Sequence, residues 1–380
     1  MPGLVFPSLP QRTAKSPVPI ASTPDLERLL IELGTVVDAH AKDPQNPWAI
    51  AHGLLARGPE FQLVDGRSAV DFLFTEYAVE TSASEKRLVD FPRSVQKEGR
   101  TIDVEPHTDL LLKVLTEIGV RLDHEVEVQG SQHQLGELWQ RSVESTWLDL
   151  KSGESSFDSP NDMPWGMQGI ATYAGDGFSW ESEGRTMSMD DLANLMVHVL
   201  TEESRELLIG MKTGQGFQKR GQGVFGYTCG GAHLLQGAAY VVARGFGDQA
   251  ARDKMELQGY LASYRLPLEL QIYADLLERA PEHKLVLMAQ QLKFTGHWLE
   301  SVHKMAAMGL YKPSAKDQEV MALAVGSLLE SVLALKSLGA LDNLEAIQKQ
   351  NPQLYLDLVG DSAHAIHGLE LALGRVSVSY

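Results

Sequence analysis

The sequence predicts an all-α protein built from six helical hairpins, and three observations carry that prediction. Apolar residues recur at helical spacing along most of the chain, without sustained strand-type alternation or an Asn-Gly hairpin signal. Many of these segments close on glycine, which enters the left-handed conformation after a helix without steric cost. Segments led by histidine also recur. "HTDLLLKVLTEIG" (107–119), "HLLQGAAYVVARG" (233–245) and "HWLESVHKMAAMG" (297–309) each reach a glycine twelve residues after the histidine.

The elements follow in chain order. Residues 1–24, "MPGLVFPSLPQRTAKSPVPIASTP", read as an extended Pro/Ser-rich arm, without the charged and apolar regions of a signal peptide. Residues 25–380 read as one domain. Its first hairpin pairs "DLERLLIELGTVVDAHA" (25–41) with "PWAIAHGLLARG" (47–58). Residues 70–100 and 133–150 supply further outer helices around 107–119, and 82–104 form a charged excursion. After loop 151–164 comes "PWGMQGIATYAG" (164–175), then a short turn or hairpin over 176–189 and a helix over 190–210. The glycine-rich loop 211–228 carries Lys212, Lys219 and Arg220, and reads as a lid over the site. It lacks a phosphate-loop motif. Helices over 268–280, 283–294 and 317–339 and the segment "AHAIHGLELALG" (363–374) complete the chain.

Anchored on His52, His107, Gln168, His233, His297 and His364, the repeat advances by 55, 61, 65, 64 and 67 residues. That length fits two helices and their loops. Six outer–inner hairpins close into an (α/α)6 toroid, and over residues 25–375 the chain resembles the architecture of that group. The group includes terpenoid cyclases, protein prenyltransferase β subunits, lanthionine cyclases, six-hairpin glycosidases and toroid polysaccharide lyases. The motifs of several members are missing. There is no DxDD, no repeated Gln-Trp, only one cysteine, and Tyr227 stands where the prenyltransferases carry aspartate two residues before the cysteine. In such toroids the inner helices start at one rim of a central cavity, which implies a ring of histidines around the ligand.

Composition limits what that ligand is. Fifty acidic against 33 basic residues give a net charge of −17, opposite to what nucleic acid or an anionic membrane surface selects. No stretch has the roughly 18 unbroken apolar residues of a membrane span. Cys229, the lone cysteine, excludes an internal disulfide.

The ring supports two chemistries. In the first, a small or oligomeric polar substrate, such as a carbohydrate, is processed by a lyase or hydrolase. His233, His107, His52 and Tyr227 are then the catalytic candidates, and Trp48, Trp165, Gln168, Arg220 and Trp298 the substrate-binding ones. Tyr173 and Asn161 stand nearby in sequence, and Asp109, Asp162, Asp176, Glu300 and Asp361 are the carboxylates for a hydrolytic pair. In the second, a non-catalytic toroid binds a ligand or a transition metal such as zinc. Its ligands come from His52, His107, Cys229, His233, His297 and His364, with His367 nearby. Helix N-termini favour neutral imidazole, which serves as either ligand or base. His40, His124, His133, His198 and His283 read as surface or packing residues, while His303 fits either class.

Overall fold

A computed structural model describes residues 11–83, 86–157 and 161–380. Residues 1–10 of the expected arm and parts of the 82–104 and 151–164 loops lie outside them. The described chain is mostly helical: α1 (Pro24–His40), α2 (Pro47–Arg57), α3 (Ala69–Tyr77), α4 (Leu110–Glu117), α5 (Leu135–Ser145), α6 (Met163–Tyr173) and α7 (Met189–Glu203) fill its first half. Then come α8 (Arg205–Thr213), α9 (Ala232–Ala243), α10 (Gln249–Arg279), α11 (Lys284–Ala307), α12 (Ala315–Ser337), α13 (Leu344–Gln350) and α14 (Pro352–Ala372).

The helix ends carry local signals. Side chains of Thr23, Asn46, Asp248, Ser314 and Asn351 accept from first-turn amides at five helix starts, satisfying donors the helix leaves open. Gly58, Gly119, Gly245, Gly309, Gly339 and Gly374 all take positive φ after helices.

Three boundaries differ from expectation. The 190–210 helix breaks at Ser204 into α7 and α8. Segments 283–294 and 297–309 are one helix, α11. α10 begins at Gln249 and runs through Pro267, although proline removes a backbone donor. Apolar contacts on both sides of Pro267, from Met255 through Leu266 to Tyr273, hold that helix against the core.

Strands are the larger correction. Among the described residues, four antiparallel hairpins interrupt the helices: β2 (Val79–Ala83) with β3 (Lys86–Asp90), β4 (Ser94–Lys97) with β5 (Arg100–Asp103), β6 (Glu125–Val128) with β7 (Ser131–Gln134), and β8 (Ser179–Ser182) with β9 (Arg185–Ser188), the last lying in the 176–189 segment expected to form a turn or hairpin. The last three turn on Glu98-Gly99, Gln129-Gly130 and Glu183-Gly184, with both residues at positive φ. These are the demands of a type I′ turn, met with Glu or Gln in the position that usually carries Asn.

Packing contacts among the most buried helices run in a closed cycle: α2 on α4, α4 on α6, α6 on α9, α9 on α11, α11 on α14, and α14 back on α2. The remaining long helices flank this cycle, with α1 and α12 beside α14 and α11, and α7 and α10 beside α9. α12 is the one described helix long and apolar enough to cross a membrane, and it is packed against α1, α10 and α11. Glycines allow close approach inside the cycle. A Cβ on Gly237 would stand 2.6–2.8 Å from Pro164 atoms of α6, and one on Gly296 would touch Ala365 of α14 at 3.1 Å.

The described part of the arm crosses one end of the cycle. Gln11 Nε2 donates to the Thr116 carbonyl and the Tyr173 hydroxyl, Arg12 to the Ala243 carbonyl, and Lys15 to the Gly374 carbonyl. These acceptors mark the C-terminal ends of α4, α6, α9 and α14. A short strand β1 (Thr13–Ala14) also pairs with β10 (Val378–Ser379). The N-terminal ends of the same helices therefore face the other way, toward the site.

Candidate functional site

At that other end lies a cavity of about 650 Å³, and every helix of the cycle contributes to its wall. The β4–β5 hairpin adds Arg100 and Asp103 at its rim, and the turn before α9 adds Thr228 and Cys229.

Four imidazoles meet on its wall. Ring centroids separate His297 from His364 by 3.9 Å, His52 from His364 by 5.3 Å, His233 from His297 by 5.3 Å and His233 from His364 by 5.5 Å. Their placement corrects the idea that each histidine starts its helix. His233 does so in α9, His107 lies just ahead of α4, and His52 sits one turn into α2. His297 and His364 lie in the middle of α11 and α14. Helices of unequal length bring them to a common depth.

Hydrogen bonds fix the tautomers of three of the four rings. The Nδ1–H of His52 donates to the Trp48 carbonyl at 2.8 Å, and that of His297 to the Lys293 carbonyl at 2.9 Å. A carbonyl only accepts, so in both rings Nδ1 carries the proton and Nε2 the lone pair. His364 Nδ1 donates instead to Glu300 Oε2 at 2.8 Å. Burial, the leading cause in every case, keeps all four rings neutral. It depresses His52 to about 3, lowers His364, and holds His233 and His297 well below the usual imidazole range. Two buried ring nitrogens, His233 Nδ1 and His297 Nε2, have no hydrogen-bond partner. Each such orphan costs about 1–3 kcal/mol.

The "TCGG" stretch ahead of α9 is a strained turn. Cys229, Gly230 and Gly231 adopt φ of 52°, 62° and 85° in succession. For cysteine that conformation costs about 1–2 kcal/mol. At Gly231 only glycine fits, since a Cβ would stand 2.1 Å from Val224 Cγ2. The turn is tied down by Thr228 N–H donating to Asn161 Oδ1 at 2.9 Å and Arg265 Nη1 donating to the Gly230 carbonyl at 2.7 Å. It delivers Cys229 to the cavity wall beside His233. Burial raises the thiol above its usual range, with Asp361 adding to the effect.

Beneath the imidazoles lies a charged network sealed from solvent. Lys304 Nζ donates to Glu117, to Glu300 Oε1 at 2.7 Å and to Gln236 Oε1 at 2.9 Å, which uses all three of its protons. Lys113 Nζ pairs with Glu117 at 2.6 Å, and Gln168 Nε2 donates to the same carboxylate at 2.9 Å. Glu300 accepts four bonds, from His364, His367, Gln236 and Lys304. Burial alone would raise both carboxylates. Lys113 and Lys304 overcome it to hold Glu117 at about 2, and Lys304 with His364 holds Glu300 well below its usual range. Both are therefore ionised, and Glu300 orients His364 as a carboxylate–imidazole dyad.

The other candidates divide. Trp48 stacks near His52 at 3.9 Å, and Trp165 lies between His107 at 4.2 Å and His233 at 5.0 Å; all line the cavity. His107 Nδ1 bonds Asp162 Oδ1 at 3.0 Å. Asp361, raised by burial, lines the cavity beside Lys293. Four residues expected in the site stand elsewhere. Trp298 is a core anchor whose indole donates to the Ala262 carbonyl at 2.8 Å. Gln168 belongs to the buried network, and Arg220 lies in an exposed groove formed by its own loop and α8. Tyr227 is set against Glu203, and burial with that carboxylate raises its phenol. Lys219 of the expected lid is paired with Glu269 at 2.8 Å.

Among the remaining candidates, Tyr173 is a structural phenol that donates to the Val120 carbonyl, and Asp176 is exposed. Asp109 is half-buried at the start of α4, and desolvation of its carboxyl pushes it up to about 6. His303 is a buried packing residue bonded to Ser16 of the arm at 2.8 Å. His133 is likewise buried, between Glu80 and Glu137.

Sequence reasoning missed Lys113, Lys293, Lys304 and the orienting role of Glu300. One signal was available: Lys113-Glu117 and Glu300-Lys304 are charge pairs at i,i+4 inside apolar helices. Compared with known proteins, the chain matches no protein family, no curated protein and no solved structure.

Proposed function

We propose that the chain is an (α/α)6 toroid enzyme that binds a polar, carboxylate-bearing small or oligomeric substrate in its central cavity. Its reaction is acid–base chemistry of the lyase type. The closed cycle α2–α4–α6–α9–α11–α14, flanked by a second set of helices, supports the toroid. The observation that carries the enzymatic reading is the His364–Glu300 dyad on the cavity wall. With Nδ1 committed to an ionised carboxylate, Nε2 of a neutral imidazole is left to take a proton, and Glu300 stabilises the imidazolium that forms.

Charge in the cavity favours elimination over hydrolysis. The N-terminal ends of α2, α4, α6 and α9, together with Arg100, suit an anionic substrate group whose neutralisation acidifies the neighbouring C–H. A hydrolase needs two working carboxylates, yet Glu300 is saturated by four donors. Asp357 and Asp361 are engaged with Lys293. Trp48 and Trp165 supply the flat apolar faces on which sugar rings pack.

The test is a panel of uronate-containing oligosaccharides and polysaccharides, with formation of the unsaturated product followed by ultraviolet absorbance. The wild type turns over at least one member, and His364→Asn loses activity by about 10²-fold or more. Equal turnover in His364→Asn, or no turnover and no thermal shift with any polyanionic sugar, would sink the reading.

A further inference from the structure

We propose that Cys229, His233 and His297 form a zinc-class metal site whose remaining coordination position opens onto the cavity. One donor atom from each of the three lies within 4.8 Å of the others. Tetrahedral zinc with bonds of about 2.0–2.3 Å places its ligand atoms roughly 3.3–3.6 Å apart, so closing the trio needs movements of at most about 1.5 Å. Side-chain rotation covers that distance.

Three independent features point the same way. The first is orphaned nitrogen. His297 is 2% exposed, and its Nε2, the atom left with a lone pair when Nδ1 donates to Lys293, has no partner. His233 Nδ1, in the adjoining ring, is also buried and unpartnered. An Nδ1–H held by a backbone carbonyl is the second-shell arrangement that orients an Nε2 ligand. The second feature is backbone. The strained turn that carries Cys229 is locked by Asn161, Arg265 and the Gly231–Val224 contact, and residues held in such conformations concentrate at functional sites. The third is donor chemistry. One thiolate and two imidazoles form a borderline-soft set that suits zinc, and all three residues line the cavity, as a site with a position free for water or a substrate oxygen requires.

The rest of the histidine cavity does not join the trio. His107 is stacked on Trp165, whose ring in turn lies tilted against His233. His364 is not among the described residues whose donor atoms all lie within 4.8 Å of one another with Cys229 and His233. A second cluster, Glu117, Glu300 and His367, has the right atom types, but the Lys304 ammonium already sits on both of its carboxylates. The proposal stands whether or not the cavity performs elimination, because metal content is read without substrate.

Elemental analysis of the full-length protein, purified without chelator or imidazole and dialysed, is expected to give about one equivalent of zinc. Apoprotein titrated with cobalt(II) is expected to show intense near-ultraviolet thiolate-to-cobalt charge transfer. Since Cys229 is the only cysteine, bound metal should also slow its alkylation by at least tenfold. Cys229→Ser and His297→Gln lose the metal, and His107→Gln keeps it. Folded wild-type protein that takes up neither zinc nor cobalt overturns the site. So does cobalt binding without the thiolate band, or an undiminished zinc content in Cys229→Ser. If a variant fails to fold, the cobalt spectrum and thiol protection of the wild type decide the question.

Discussion

Replacing Lys304 by methionine tests the buried network that supports the histidine cavity. The two side chains are close in length, so the change removes a charge without opening a large void. Lys304 and its acceptors Glu117 and Glu300 are each at most 1% exposed. After the change Glu117 keeps Lys113 and Gln168, and Glu300 keeps Gln236, His364 and His367, but the core carries one uncompensated negative charge. Removing one partner of a buried pair costs about 3–5 kcal/mol.

Because the folded pKa of Glu117 is depressed, its contribution is present above pH 4.5 and is lost as pH falls toward 2. The deficit of Lys304→Met is therefore largest at neutral pH and shrinks as the stranded carboxylates take up protons. Urea unfolding followed by tryptophan fluorescence at pH 7 and pH 4 measures both. At neutral pH the expected loss corresponds to a fall in Tm of about 4–6 °C for a chain of this size, and Glu300→Gln in the same chain should recover part of it. A loss below about 1 kcal/mol at pH 7, or one that does not shrink in acid, would refute the reasoning.

Other parts of the fold give further tests. Gly237→Ala drives a Cβ into the backbone of Pro164, and should cost about 1–3 kcal/mol by parting α9 from α6, read as a lowered urea midpoint. His303, depressed to about 4 by burial, contributes stability that is present above pH 6.5 and lost as pH falls through about 4. His303→Leu should therefore flatten the dependence of Tm on pH between 7 and 4, and an unchanged slope would remove His303 from the account. Gln129→Asn, at a turn position with φ of 51°, should raise stability by roughly 0.5–1 kcal/mol because asparagine tolerates the left-handed region better. No gain in the urea midpoint would argue against the type I′ reading.

Legibility differed between elements for physical reasons. α12, with a polar cap at one end and Gly339 after the other, could be read almost to the residue, because both signals act within one turn. Of the hairpins, only β8–β9 was anticipated, in the 176–189 segment; the others were missed because strands of four or five residues are too short to display alternation, and because the turns of β4–β5 and β6–β7 use Glu-Gly and Gln-Gly in place of Asn-Gly. α10 was read short because Pro267 looks like a stop, and only packing on both sides of it carries the helix through. In the site, the regular recurrence of histidine selected His52, His233, His297 and His364, which do meet. The same rule gave no depth along the helix, so it also placed Gln168 on the ring when it lies in the charged network below. Trp298 and Trp165 look alike in sequence, each beside a histidine or proline. One is a core anchor and the other a cavity wall, because helix rotation is set by the neighbours each helix packs against.

The sequence by itself determined the helical class, the helix ends marked by caps and glycines, the histidine recurrence and the unusual Cys-Gly-Gly turn. All of these are local, written in a few consecutive residues or in a repeat interval. Tertiary structure alone decided which nitrogen carries the proton in three of the four imidazoles, which histidines Glu300 orients, and which two stand within reach of Cys229. It also decided that Lys304 sits buried between carboxylates nearly two hundred positions apart. Those outcomes depend on distances between helices far separated in the chain, and burial shifts a group's protonation only once the surrounding helices have closed around it.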